Sequence, residues 1–393
     1  MSANDQMQGG IAEATRLTRQ GRLDEATAAI QSALGGTFVP PKEPVSSDGT
    51  DGPIDVTSRI VRRTRQGPGR RTAGHRFVVA SNLLNHGVGT PLGTRMAKAS
   101  YVAAPEGGRF VERSYTNGAG TRTYKLYVPG GYVGDAIPLI VMLHGCTQDP
   151  DDFAAGTRMN ELAEERTFLV AYPAQAASAN MQKCWNWFQA SDQQRGRGEP
   201  SIIAGITSQV ASEYEVAEDR VYVAGMSAGG AMAAIMGATY PDLYAAIGVH
   251  SGLAPGAASD LSSAFTAMRQ GGPVVAHEDV PGRGYSEILP TIIFHGDGDT
   301  TVHPRNGDRL LAHLAGGGSS LRVTTRRGRV PDGYEYTRFT YRDADGRELV
   351  ERWIVHGLGH RWSGGSHPGS YTDPRGPDAS AEMVRFFEQH HKR

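Results

Sequence analysis

The sequence has few cysteines, no long apolar segment and no excess of charge of either sign. Two cysteines among 393 residues are too few for a disulfide-stapled scaffold or a cysteine-rich zinc site. No apolar run approaches the roughly 18 residues needed to cross a bilayer, so we expect no membrane span. The 40 basic residues balance 41 acidic ones, which leaves no general attraction to nucleic acid. These absences favour a globular protein that acts on a small neutral or weakly charged molecule.

The first residues also lack the features of a secretory leader. The segment Met1–Gly9 has neither a basic start nor an apolar stretch. We therefore expect a cytoplasmic protein, or a secreted one if a leader was trimmed from this sequence. The oligomeric state is not indicated by any pattern.

Composition divides the chain into three regions. Residues 1–36 predict a helical hairpin, because two short amphipathic segments are separated and followed by glycines. One hairpin cannot bury a core alone, so we expect it to pack on the rest of the chain or on a twin subunit, or else on a hydrophobic polymer particle. Residues 37–109 are rich in proline, glycine and arginine and predict a flexible, partly basic linker, solvated rather than bound to nucleic acid. A single globular domain is predicted over residues 110–390, and the motifs described below indicate that it is catalytic.

This third region alternates apolar runs of strand length with helical segments. The predicted strands are Arg122–Pro129, Leu139–Leu143, Thr167–Pro173, Arg220–Ala224, Ala245–Gly252, Pro290–Gly296 and Val350–Val355. The predicted helices are Phe153–Glu165, Ile202–Tyr214, Ala231–Tyr240 and Ala379–Gln389, and Tyr115–Gly120 is predicted as a turn. Such alternation predicts the α/β class, with a mostly parallel central sheet and helices on both faces.

A serine lies at a sharp strand-to-helix junction. Ser227 is flanked by Gly225 and Gly229, which is the G-x-S-x-G pattern of a nucleophile elbow. The glycines remove Cβ atoms at a crowded turn, so the serine can hold a strained backbone with its hydroxyl exposed. We predict that Ser227 is a nucleophile, with a structural turn serine as the alternative.

Two backbone amides are candidates for an oxyanion hole. The strand ending at Leu143 leads into His144-Gly145-Cys146, and a glycine there lets the next amide turn towards a developing negative charge. Ala228 opens the helix after the elbow, where free amides and the positive end of the helix dipole meet. We predict that the amides of Cys146 and Ala228 are the two donors.

The acid and the base each have a rival. Asp297 and Asp299 follow the same strand, and the His-Gly-x-x-Asp-x-x-Val spacing favours Asp299 over a turn-forming Asp297. His356 and His360 both follow the last strand, and we predict that His360, between glycines, is the base, with His356 a structural donor. The chain order serine, aspartate, histidine is that of α/β hydrolases.

Five segments together resemble esterases of the polyhydroxybutyrate depolymerase family. They are Leu143–Gln148, Tyr172-Pro173, Cys184–Phe188, Gly225–Gly230 and Gly357–Gly365. The resemblance spans about residues 110–390, and the hairpin 1–36 is similar to that of leaderless members. It implies an α/β-hydrolase fold and a serine esterase that hydrolyses poly(3-hydroxybutyrate), its oligomers or related short-chain esters, with a polyester chain or granule surface as partner. The family is similar to feruloyl and acetyl-xylan esterases, so such an esterase is the alternative, and a catalytically silent binding protein of the same fold is another.

The same segments contain flat aromatic residues that suit a groove for an ester chain. The candidates are Tyr172, Trp185, Trp187, Phe188 and Trp362, and core packing is the alternative for each. Cys146 and Cys184 form a disulfide in one interpretation and stay free thiols, as a reducing cytoplasm favours, in the other. The chemistry needs neither metal nor organic cofactor, so we expect none.

Overall fold

The computed structural model describes Pro105 and residues 107–273, 288–315 and 321–392. The predicted hairpin 1–36 and nearly all of the predicted linker 37–109 lie outside the described residues. Both therefore stay predictions.

Ten strands form one sheet at the centre of the described region. They are β1 (Arg109–Asn117), β2 (Gly120–Val128), β3 (Ile137–Leu143), β4 (Leu169–Pro173), β5 (Val216–Met226), β6 (Ala246–His250), β7 (Thr291–Gly296), β8 (Arg322–Arg329), β9 (Glu335–Arg342) and β10 (Glu348–Val355). Their order across the sheet is β1-β2-β4-β3-β5-β6-β7-β10-β9-β8. The six strands from β4 to β10 in this order are parallel, and the antiparallel pairs lie at the two edges. The predicted mostly parallel sheet is confirmed.

Helices cover both faces of this sheet. They are α1 (Pro150–Thr157), α2 (Met159–Arg166), α3 (Gly198–Glu213), α4 (Ala228–Thr239), α5 (Leu261–Gln270), α6 (Arg305–Ala315) and α7 (Ala379–Phe387). Apolar residues of α3, α4, α5 and α6 share one core with one face of the sheet, and those of α1, α2 and α7 share a second core with the other. Because both faces are buried, central strands such as β3 are apolar without interruption. Within the described residues, no helix is long and apolar enough to cross a membrane.

Two local predictions were wrong in detail, and some elements were missed. The predicted turn Tyr115–Gly120 is largely strand, because β1 pairs with β2 as far as Asn117 and Gly120. The single predicted helix Phe153–Glu165 is two helices, α1 and α2, separated at Arg158, which has φ +54°. The hairpin of β8 and β9 and the helices α5 and α6 were not predicted. The eight residues of β8 are almost all exposed, so no apolar alternation marks this strand in the sequence.

The carboxyl ends of the parallel strands meet along one edge of the sheet. The loops after β3, β5, β7 and β10 carry Cys146, Ser227, Asp299 and His360 respectively. Adjacent parallel strands therefore bring residues that are far apart in the chain to one place, as is general for open α/β sheets.

Candidate active site

Ser227 occupies the strained turn between β5 and α4. Its backbone has φ +56° and ψ −120°, a region that residues with a Cβ rarely adopt. Its amide donates to the carbonyl of His250 over 2.9 Å, and its carbonyl accepts from the amide of Ala231 over 2.9 Å. These bonds at either end of the residue hold the strained conformation in place.

Glycines allow the backbone segments at this turn to touch. A Cβ on Gly229 would overlap the carbonyl oxygens of Leu143 and His144 at the end of β3. A Cβ on Gly225 would overlap the backbone of Gly229 itself. The glycines of the motif are therefore required by the close approach of β3, β5 and α4. Any side chain here would push the elbow away from the loop after β3 that contains Cys146, which we call the oxyanion loop.

Asp299 and His360 form a buried hydrogen-bonded pair. Asp299 Oδ2 lies 2.7 Å from His360 Nδ1, and Asp299 Oδ1 accepts from the amides of Thr301 and Val302, both over 2.9 Å. Burial by itself would raise the pKa of Asp299, but the charges and hydrogen bonds of His360 and His295 hold it well below its usual range. The carboxylate therefore stays ionised and keeps the proton of the imidazole on Nδ1, which leaves Nε2 free to act as a base.

Ser227 and His360 line the same pocket. Both belong to the described residues, and their side chains form no hydrogen bond with each other in this structure. Serine–histidine contacts are often long before substrate binds and shorten in the reactive complex. The shared pocket is thus the observation that links the elbow to the acid–base pair.

The rival residues form a second aspartate–histidine pair on the surface. Asp297 Oδ2 lies 2.7 Å from His356 Nδ1, and these side chains are 43 % and 41 % exposed. Asp297 Oδ1 also accepts from the amide of Gly357 over 2.6 Å, and His356 Nε2 lies 2.9 Å from Thr337 Oγ1. Neither residue lines the pocket that contains Ser227. Asp297 therefore braces the start of the loop that carries His360, rather than bonding to its own turn.

The two predicted oxyanion donors also lie at this pocket. Cys146 and Ala228 both line it, and neither amide donates to any acceptor among the described residues. Ala228 is the first residue of α4, so its amide has no partner within the helix. The loop around Cys146 is held by Thr147, whose amide donates to the carbonyl of Gln182 over 2.7 Å. Two residues that line the pocket beside the serine thus have amides without an acceptor among the described residues.

A disulfide joins the oxyanion loop to the pocket wall. Cys146 and Cys184 are bonded, with their Cα atoms 4.2 Å apart. Cys184 precedes Trp187 and Phe188, and both aromatic side chains line the pocket. The bond ties a predicted oxyanion donor to the segment that shapes the substrate space.

The remaining wall of the pocket is supplied by α5, which was missed in the sequence. Leu261, Ala264, Phe265 and Met268 of this helix line the pocket. Their spacing of three, four and seven residues is that of one helical face, and this signal could have located the wall. The other apolar lining residues are Met226, Leu253 and Val302, and the polar lining includes Gln148, Thr301 and Tyr371.

Two of the predicted groove residues are core residues instead. Trp185 and Tyr172 are fully buried and do not line the pocket. Trp185 Nε1 donates to the carbonyl of His144 over 3.1 Å, and the Tyr172 hydroxyl donates to Asn160 Oδ1 over 2.8 Å. Trp185 thus supports the oxyanion loop from behind, so the groove prediction was wrong for both residues.

Trp362 is the third groove prediction that was wrong. It is 1 % exposed, donates to Ser380 Oγ over 3.1 Å, and stacks on the ring of His250 with 5.0 Å between centroids. His250, which the sequence reasoning missed, accepts from the amide of Ser363 through Nε2 over 3.0 Å. Burial lowers the pKa of His250 to about 3, so its ring is neutral. Because its carbonyl binds the amide of Ser227, His250 connects the elbow to the loop that follows His360.

Comparison with curated proteins finds esterases of two kinds. Poly(3-hydroxyalkanoate) depolymerase C of Paucimonas lemoignei is 34% identical over 251 residues, which are 62% of this chain and 59% of that protein. Acetylxylan esterase A of Talaromyces purpureogenus is 33% identical over 212 residues, 51% of this chain and 54% of that protein. The chain thus spans between half and two thirds of the length of these relatives.

Comparison with solved structures shows the fold. The acetyl xylan esterase from Aspergillus awamori superposes with a TM-score of 0.56 at 23% identity, covering 71% of this chain and 99% of that one. The predicted α/β-hydrolase fold is thereby confirmed. The sequence profile described as Esterase PHB depolymerase matches residues 122–328, more than half of the chain. The chain belongs to the Esterase PHB depolymerase family.

Proposed function

We propose that this protein is a serine esterase that cleaves carboxylic esters through an acyl-enzyme. Ser227 is the nucleophile, His360 the general base and Asp299 the acid that orients it. One observation carries the proposal: the buried Asp299–His360 pair opens on the same apolar pocket as the strained serine and two unused amides. A protein that only binds a ligand has no need of this arrangement.

The reaction follows from these positions. His360 Nε2 takes the proton of the Ser227 hydroxyl as the oxygen attacks the ester carbonyl. The amides of Cys146 and Ala228 stabilise the negative charge of the tetrahedral intermediate, by about 3 kcal/mol for each donor. The protonated imidazole then donates to the leaving alcohol, and a water molecule activated by the same ring releases the acid.

The pocket favours an apolar acyl group. Apolar side chains make up most of the lining of the serine's pocket, including Trp187, Phe188 and those of α5. A poly(3-hydroxybutyrate) chain or oligomer, with its repeated methyl and ester groups, matches such walls, and the family and the Paucimonas lemoignei relative support this substrate class. An acetylated xylan is the second candidate, favoured by the Talaromyces purpureogenus relative, although an acetyl group would contact only a few of these side chains.

Replacing Ser227 with alanine tests the catalytic proposal. We expect Ser227→Ala to lower kcat for p-nitrophenyl butyrate by about 10⁴-fold or more, because the nucleophile is lost. Ser262→Ala is the matched control, since this exposed serine lies on α5 beside the pocket. Circular dichroism checks that both variants are folded. Turnover by folded Ser227→Ala at the rate of the control would refute the proposal.

Three substrates separate the candidate activities. We expect kcat/KM to be highest for a 3-hydroxybutyrate trimer, lower for acetylated xylan and lowest for methyl ferulate. A reversed order between the first two would assign the acetyl-xylan activity, and no turnover of any ester would support the silent binding protein.

Removal of residues 1–36 followed by a granule-sedimentation assay tests whether the predicted hairpin binds the polymer. Unchanged sedimentation would exclude that partner role.

A further inference from the structure

Two buried polar atoms near the catalytic acid have no hydrogen-bond partner within the described part of the chain. They are His295 Nδ1, on β7, and Arg352 Nε, on β10. The residues are 1 % and 8 % exposed, so bulk water does not reach these atoms. Buried polar groups without partners are rare in native proteins, and each one calls for a physical reason.

The hydrogen bonds of His295 show what its free nitrogen requires. Its Nε2 lies 2.8 Å from the carbonyl oxygen of Val302, which can only accept. Nε2 therefore carries the proton, and in the neutral ring Nδ1 is an acceptor. The same Nε2 lies 3.5 Å from Asp299 Oδ2, the oxygen that also bonds to His360 Nδ1. His295 thus contacts the catalytic acid while its second nitrogen lacks a donor.

Arg352 supplies a donor close to the same glycine as His295 Nδ1. Its Nη1 is paired with Asp308, but its Nε is buried without an acceptor among the described residues. Gly307 of α6 is adjacent to both atoms. A Cβ on this glycine would lie 3.4 Å from His295 Nδ1 and 3.7 Å from the Arg352 Nε, at ordinary contact distance. An unpaired acceptor and an unpaired donor therefore border one gap that a side chain as small as alanine would fill.

We propose that one buried water molecule occupies this gap, and that it makes His295 a positioning residue for the catalytic acid. The water accepts from Arg352 Nε and donates to His295 Nδ1, which satisfies both atoms. It fixes the ring of His295 with its proton on Nε2, facing Val302 and Asp299. Oδ2 of Asp299 is then contacted by the fixed rings of both His295 and His360, while Oδ1 is held by the amides of Thr301 and Val302. This inference rests on the proposed esterase function.

A crystal structure at a resolution that shows waters is the direct test. We expect one fully occupied water within hydrogen-bonding distance of His295 Nδ1 and Arg352 Nε. A dry gap, or a direct bond from Arg352 Nε to His295 or another protein atom, would overturn the proposal.

Filling the gap tests its role in catalysis. Gly307 lies in a helix at an ordinary φ, so Gly307→Ala meets no backbone strain and would normally stabilise α6. We expect it instead to lower the melting temperature and to lower kcat for p-nitrophenyl butyrate several-fold, with KM changed less than two-fold. The matched control is Asp308→Asn, which removes the ion pair of Arg352 but leaves Nε and the gap intact; its kcat should equal that of the unmodified protein. A raised melting temperature with unchanged kcat in Gly307→Ala would refute the proposal.

Two substitutions of His295 separate positioning from simple packing. His295→Gln keeps an N–H near the position of Nε2, whereas His295→Leu removes it. We expect the glutamine variant to retain several-fold more kcat than the leucine variant at equal KM. Equal kcat in the two variants would contradict a positioning role. If Ser227→Ala retains full activity the esterase proposal itself fails, so the two failures are distinguishable.

Discussion

The disulfide between Cys146 and Cys184 allows a quantitative test of how the pocket is held together. We consider its removal by reduction, or by replacing both cysteines with alanine. The two cysteines are 38 residues apart, and closing a loop of this length in the unfolded chain stabilises the folded state by about 4 kcal/mol. In urea, a slope of about 3 kcal/mol per molar for a domain of this size converts that loss into a midpoint lower by about 1.3 M.

Tryptophan fluorescence during urea unfolding measures this change, with and without a reducing agent. The double alanine variant is the control, because a reducing agent should leave its midpoint unchanged. We also expect reduction to lower kcat for p-nitrophenyl butyrate, because the amide of Cys146 loses one of its restraints. KM should change less than kcat, because substrate binding depends on the whole apolar wall of the pocket. An unchanged urea midpoint after full reduction would refute the reasoning. So would two free thiols on titration of denatured, unreduced protein.

Acid should destabilise the fold through two buried histidines, His144 and His250. Burial lowers the pKa of His144 to about 4 and that of His250 to about 3, below the value of about 6.5 in the unfolded chain. As the pH falls below that value, the unfolded chain takes up protons that the folded one does not, so each histidine should cost about 2 kcal/mol between pH 7 and pH 5. Equal urea midpoints at the two pH values would show that these rings are not buried and neutral. On α5, Ala264→Leu should narrow the pocket and lower kcat/KM for p-nitrophenyl hexanoate about ten-fold more than for the acetate. An equal loss for both esters would show that Ala264 does not contact the acyl chain.

Local patterns predicted the elements whose causes are local. The apolar run of β3 and the glycines around Ser227 predict a buried strand and a tight elbow because sterics and hydrophobic burial act over a few residues. The same applies to the order of strands and helices, which predicts a mostly parallel sheet. Because the carboxyl ends of these strands meet at one edge of the sheet, the positions of Ser227, His360 and Asp299 after strands predict the nucleophile, the base and the acid. The Ser227→Ala variant tests the first of these roles.

Other features depend on which distant segments pack together. Spacing favours Asp299 over Asp297 but gives no sign that each aspartate bonds to its own histidine, since both pairs join the loop after β7 to the loop after β10 over 2.7 Å. Only the packing of the strands shows that Asp299 is buried and its partner His360 lines the pocket, while Asp297 and His356 face solvent.

The aromatic residues follow the same rule. Trp185 and Trp362 are flat aromatic residues that could line a groove. In the structure both rings are buried by the packing of other segments. The pocket is walled instead by α5, which lies far along the chain from the oxyanion loop. Motifs thus predict features that depend on residues close together in the sequence. Burial depends instead on contacts between distant segments, and these contacts form only when the whole chain folds.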